Sequence, residues 1–144
     1  MAEMEQYYTI KTAHDTVFVR LQGSWSAEHM HNFTQEFKQL VGRYFAREWA
    51  CVMDISDLEL LIGEQEQIAA FRALNTWSFI KGMRAQALVV SERNPSYLLY
   101  QFEEVLRTKS SYERQVCENE SQAEQWLHDY GFSEKLEVQS QKSA

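Results

Sequence analysis

Glycine occurs five times, cysteine twice and proline once in this 144-residue chain, and each scarcity excludes something. Five glycines leave little material for a loop that cradles phosphate, and neither GxxxxGK[ST], GxGxxG nor GxSxG appears. Nucleotide-driven and nucleophile-elbow chemistry are therefore not expected. Cys51 and Cys117 sit alone in apolar segments, without CxxC spacing, and read as reduced core thiols rather than a disulfide framework or catalytic nucleophiles. No basic run offsets the net charge of -7, so nucleic-acid backbones and anionic lipid surfaces are disfavoured partners. No stretch approaches the roughly 18 apolar residues of a membrane span, and the first eight residues, MAEMEQYY, are acidic and polar, unlike a secretory leader. The expected location is cytoplasmic.

What is present is the material of one core. At 44% hydrophobic and 24% charged residues, the chain suits a single globular domain, expected over residues 1–132. The polar stretch 133–144, SEKLEVQSQKSA after Phe132, lacks a sustained period and is expected to be a disordered tail. Residues 7–11 and 17–21 are β-rich, and His14-Asp15 between them supplies a turn, which predicts a hairpin. Ser26 is placed as the N-cap of a long amphipathic helix whose apolar positions are Met30, Phe33, Phe37, Leu40, Val41, Tyr44 and Phe45. The apolar run 49–55 reads as a central strand covered on both faces. A second helix is predicted over 64–80, acidic at its start and ended by Gly82. Residues 85–90 give a further strand, Asn94-Pro95 a helix start, and Ser110-Ser111 that helix's end. Residues 112–117 form an outer strand, and Asn119 or Ser121 caps a last short helix closed by Gly131. The order is β-β-α-β-α-β-α-β-α, an α/β domain with a mixed, mostly parallel sheet of about five strands and about four helices. Right-handed crossovers make strands two to five parallel, with the first antiparallel at one side.

This order, together with two local sequences, resembles the STAS domain and the broader SpoIIAA-like group. Residues 52–57, VMDISD, resemble the STAS strand that ends in an aspartate and a serine before the switch loop. Residues 123–127, AEQWL, are similar to the terminal helix of SpoIIAA-like proteins. The resemblance implies a non-enzymatic bacterial regulatory module of the anti-sigma-factor-antagonist type that binds a protein partner. In such antagonists a loop-to-helix Asp-Ser-Ser-Gly carries the phosphorylated serine. Laid on this chain without gaps, that motif falls on Ile62, Gly63, Glu64 and Gln65. No hydroxyl stands there, so the usual phosphorylatable serine is missing. Glu64 takes its place, either as a fixed negative charge or as an ordinary first-turn glutamate at a helix N-terminus.

The residues that carry possible chemistry allow two readings each. Asp54, Ser56 and Asp57 lie at the carboxyl end of a central strand, where open α/β sheets bind ligands; the same residue types also satisfy backbone groups in turns. His29 and His31 are two apart on a helix, point in different directions and do not form a chelating pair; with Glu28 they are expected to be solvated. No metal, cofactor or catalytic residue is assigned. Apolar residues of the second helix, Trp77 among them, spread beyond one narrow face, and Leu58, Leu60, Leu61 and Ile62 crowd what reads as a loop over 56–63. Such an excess marks either a partner surface or full burial. The expected partner or ligand surface is accordingly Asp54, Ser56, Asp57, Leu61, Ile62, Gly63, Glu64 and Trp77, facing a protein partner or a second copy of the chain. The alternative is a carrier or sensor of a small apolar or lipid-like ligand, held between the second helix and the sheet.

Overall fold

The computed structural model describes residues 7–45, 47–106 and 112–132. The element order is β1 (Tyr8–Ala13), β2 (Thr16–Trp25), α1 (Ala27–Tyr44), β3 (Trp49–Leu61), α2 (Glu64–Ile80), β4 (Met83–Val89), α3 (Ser96–Leu106), β5 (Glu113–Cys117) and α4 (Glu120–Asp129). The five strands lie side by side in sequence order, β1 antiparallel to β2 and every later neighbour parallel. This is the predicted architecture. The predicted end of α3 at Ser110-Ser111 and the tail 133–144 lie outside the described residues.

The hairpin turns at His14, which adopts a positive φ of 57°. At the start of α1, Ser26 accepts a hydrogen bond from the His29 amide, and His29 Nδ1 accepts one from the Ser26 amide at 3.1 Å. His29 also stacks on Tyr7 with ring centroids 3.7 Å apart. It is therefore half-buried and part of the helix cap, not a solvated side chain as its sequence position suggested. His31 and Glu28 are exposed.

Alternation along the strands divides the interior in two. Val17, Val19 and Leu21 of β2, Trp49, Cys51, Met53 and Ile55 of β3 and Leu88 of β4 meet α1, α2 and α3. This side is dense with aromatic rings: Trp25 packs edge-on against Phe33 at 5.4 Å, and Phe71 sits 5.2 Å from Phe102. The opposite face is lined by Ala50, Val52, Ala85, Ala87 and Val89 and covered by α4 through Ala123 and Leu127. Both thiols are buried, and burial raises each; Cys51 is pushed up to about 12.

The largest difference from the sequence reading concerns β3. The apolar run was expected to end near Ile55 and give way to a loop, but the strand continues to Leu61. Its pairing with β2 shifts register between Arg20 and Gln22 and again between Gly23 and Ser24. Each irregularity puts an extra residue on β3, so Ile55, Leu58 and Leu61 all point to the same core although they are three apart. A helix-like spacing inside a strand is what concealed it. Gly23 takes φ 79° at the second shift, and a Cβ there would stand 3.2 Å from the Tyr7 ring.

β4 pairs with β3 only as far as Asp54 opposite Val89. Beyond that point side chains serve the overhanging edge. Asn94 Nδ2 donates to the Ile55 and Leu58 carbonyls at 2.8 and 3.1 Å, while its Oδ1 accepts from the Ser91 amide at 2.9 Å. Tyr97 donates to the Glu59 carbonyl at 3.2 Å.

Because Leu58 is 1% exposed, Leu58→Ala is expected to lower unfolding stability by about 2–4 kcal/mol. Glu59→Ala, on the outer face, should stay within about 0.5 kcal/mol of wild type. Urea unfolding followed by tryptophan fluorescence checks both; equal small losses would mean that residues 56–61 behave as a loop.

Candidate functional site

The fold gathers charged side chains midway along β2 and β3, level with the last residue of β4 and on the face covered by α4; because β3 runs on to Leu61, Asp54, Ser56 and Asp57 do not stand at its carboxyl end as the sequence reading expected. The bulge after Arg20 leaves Asp54 opposite it in register, and both project away from the aromatic core. The Asp54 side chain is 5% exposed. Its Oδ1 accepts from the Ser56 amide at 2.9 Å and from the Ser56 hydroxyl at 2.6 Å, an Asx-type turn that lets the strand bulge. Arg20 Nη2 stands 3.5 Å from Asp54 Oδ2 and 3.2 Å from Glu120 Oε2, so one guanidinium joins the central strand to the first turn of α4. Asp57 is outside this group and more exposed, paired with Arg93 at 2.9 Å.

The electrostatics follow from crowding two carboxyl groups against one cation. Burial acts to raise the Asp54 carboxyl, but the hydroxyl and amide of Ser56, the Glu120 carboxyl and the Arg20 charge outweigh it and hold it below its ordinary value. Glu120 moves the other way: its hydrogen bond with Asp54, burial and the Asp54 charge raise it against the pull of Arg20. Of the two carboxyl groups, Glu120 is therefore the one that takes up a proton first as pH falls.

Chemically this is an ion-paired cluster more than a reaction centre. Ser56 donates to a carboxylate that is a weak base, and no histidine joins them, so the hydroxyl lacks the activation a nucleophile needs. Among the described residues no group of three or more His, Cys, Asp or Glu is arranged to hold a metal ion.

The structure distributes the predicted site residues over separate places. Asp54 and Ser56 belong to the cluster just described, while Asp57 stands outside it on Arg93. Leu61 is 2% exposed and belongs to the core, so it presents nothing to a partner; its apolar character in the sequence reflects the extended strand. Ile62, Gly63 and Glu64 form the tip where β3 turns into α2, eight to ten residues further along the chain than Asp54. Ile62 is 50% exposed, Gly63 takes φ 78° as N-cap, and no side chain caps that helix start. The tip is held by the Ile62 amide donating to the Trp25 carbonyl at 2.7 Å and by Gln67 Nε2 donating to the Ile62 carbonyl at 3.0 Å. Trp77 lies a further 13 residues along α2, about 20 Å away. It is half-buried against Phe37, with Lys38 Nζ 5.3 Å above its ring.

Sequence reasoning missed Arg20, Glu120, Arg93 and Asn94. Arg20 left a faint signal as the one charge between Val19 and Leu21; its partner Glu120 is 100 residues away and left none. The expected space between α2 and the sheet is filled by Phe71 and Leu74. An open groove of about 320 Å³ lies instead beside α2, against α1. No helix among the described residues is long and apolar enough to cross a membrane.

No protein-family model matches the chain, and no curated protein matches it by sequence. Among solved structures it is similar to an uncharacterised protein of the DUF3478 family with a SpoIIAA-like fold from Shewanella loihica PV-4, at 15% identity and a TM-score of 0.61, over 88% of this chain and 98% of that one. It also matches the Bacillus cell fate determinant SpoIIAA in its phosphorylated form, at 12% identity and a TM-score of 0.45, over 79% of this chain and 95% of that one. The chain is thus a single α/β domain of SpoIIAA-like fold.

The carboxyl pair sets a pH test. Glu120 is raised in the folded state, so its contribution is complete below the unfolded value near 4.3 and is lost as pH rises through the folded one. Asp54 is lowered, so its contribution is present above about 3.9 and is lost as pH falls through its folded value. Glu120→Gln keeps the neutral form at every pH. Its stability relative to wild type should rise between about pH 4 and pH 7, by an amount that the exposure of Glu120 keeps small. Melting temperatures of the two proteins across that range decide it; parallel curves would show that Glu120 is not raised.

Proposed function

We propose that the domain is a non-enzymatic regulatory or protein-interaction module that acts in the bacterial cytoplasm and recognises its partner through the β3–α2 tip. The observation that carries this reading is Ile62, a large apolar side chain half in solvent beside a helix start without a side-chain cap. The amides of an uncapped first turn attract acceptors, and an apolar anchor beside them supplies the desolvated contact that interfaces are built around. Glu64 and Glu66 lie in that first turn and favour a partner with basic groups around an apolar pocket. The tip has no hydroxyl over 62–65, so recognition on this reading is constitutive and not gated by serine phosphorylation.

A second reading, a carrier of a small ligand, is favoured by the α1–α2 groove, whose lining includes Met30, Ala70, Ala73 and Leu74.

The first reading is tested with Ile62→Asp and Glu64→Lys, both at exposed positions and expected to leave the fold intact. Affinity capture from the native lysate followed by titration of the purified partner should show at least tenfold weaker binding for Ile62→Asp, the equivalent of about 1.4 kcal/mol. Trp77→Ala should bind as wild type does. A partner that binds both tip variants at full affinity would refute the assignment of this surface.

A further inference from the structure

We propose that the groove between α1 and α2 is a binding site for a small carboxylic acid with an apolar body and a hydroxyl or N–H group at the end remote from its carboxylate. This deepens the carrier reading and rests on it. The helices run parallel, as crossovers on one face of a parallel sheet require, and small side chains at Ala27, Thr34, Ala70 and Ala73 hold a gap between them. At about 320 Å³ the gap is within the range that small molecules occupy. Buried Met30 and Leu74 make its lining largely apolar.

Two polar features distinguish its ends. At one end Gln67, 1% exposed, lines the groove. Its Nε2 spends both protons on the Trp25 and Ile62 carbonyls, at 2.9 and 3.0 Å, which fixes which way the amide faces. Oε1 is thereby turned away from those carbonyls, buried and without a donor. A buried acceptor left unpaired is costly, and the groove lining also contains Met30, a flexible side chain that adapts readily to a ligand. At the other end is Lys38, which lies over Trp77 and forms no ion pair with a carboxylate of the described residues. Glu66 flanks the Gln67 end, so a carboxylate is repelled there and drawn to Lys38. Seven residues of helix separate Gln67 from Leu74, about 10 Å, which is the length of the apolar stretch of α2 along the groove.

The probe is 3-(4-hydroxyphenyl)propionate, titrated into the full chain by calorimetry and amide NMR beside 3-phenylpropionate and the methyl ester of the hydroxy acid. Saturable one-site binding is expected, weakened about tenfold by loss of the hydroxyl or of the charge. Ala73→Trp, an exposed substitution that fills the groove, should abolish binding with the melting temperature unchanged, and Lys38→Glu should reduce it while sparing the ester. No saturable binding of the hydroxy acid, equal affinity for all three probes, or undiminished binding to Ala73→Trp would each overturn the proposal. Native mass spectrometry separates this failure from that of the carrier reading. A small molecule retained by wild type and Ala73→Trp alike keeps the carrier and discards the groove; one retained by neither form, with no probe bound, discards both.

Discussion

The structure depends on how the overhang of β3 is satisfied. A strand that outruns its neighbour exposes carbonyls on one edge, and buried carbonyls must find donors. β3 extends seven residues beyond its last pairing with β4, and one buried amide, that of Asn94, serves two carbonyls and an N–H at once. The same residue thereby fixes the turn from β4 into α3. That placement sets Tyr97 over Glu59 and brings Arg93 to Asp57. The overhang also lets Leu58 and Leu61 reach the core, lengthening the surface against which α2 packs.

The division of the sheet into an aromatic face and a small-residue face decides where charge is allowed. Under α1, α2 and α3 the interior is filled by Trp25, Phe33, Phe37, Trp49, Phe71 and Phe102, and the polar groups it admits are amides or hydroxyls such as Gln67, Asn75, Ser78 and Gln86. On the other face alanines and valines bring α4 close to the sheet, and the helix covers only part of it. At that margin Arg20 remains 48% exposed at its side chain while touching the nearly buried Asp54. A buried carboxylate without a cation is expensive. The cluster is therefore a consequence of placing Asp54 at a bulge beside a thin layer, with Ser56, Arg20 and Glu120 compensating for its charge.

Much of the fold was legible because local signals agreed with one another. Ser26, Asn119 and Gly82 marked helix ends, β-rich segments on either side of His14-Asp15 marked the hairpin, and continuous apolar runs marked the central strands. What was hidden were features that depend on long-range pairing. The β2–β3 bulges replaced alternation with a three-residue spacing, so Leu58 and Leu61 read as surplus surface when they are core. α2 stayed open between burial and exposure for a related reason: it buries Gln67 and Asn75 against polar partners, buries Ser78 as well, and leaves Ile80 71% exposed, so its apolar residues trace no clean stripe. Asp54, Ser56 and Asp57 were singled out by type, but for a strand terminus that the structure places seven residues beyond Asp54. Their partners Arg20, Arg93 and Glu120 come from three other elements, and only the assembled sheet brings them together.

On the proposed reading, the geometry of the tip bears on how it is recognised without a hydroxyl over 62–65. A phosphorylation switch needs a segment whose arrangement responds to added charge. Here Ile62 is fixed through both its amide and its carbonyl, the latter by a glutamine that also holds Trp25. Gly63 enters α2 through a left-handed conformation that most side chains would strain to adopt. The first turn already carries Glu64 and Glu66, so negative charge at this helix start is built in. A tip that is anchored, charged and without a hydroxyl has one arrangement to offer. Control of the proposed interaction then has to come from outside the tip, through supply of the partner or through occupancy of the neighbouring groove. Gln67 is placed for the second route, since the amide that fixes Ile62 also lines the groove: a ligand drawing on its Oε1 acts on the side chain that holds the tip.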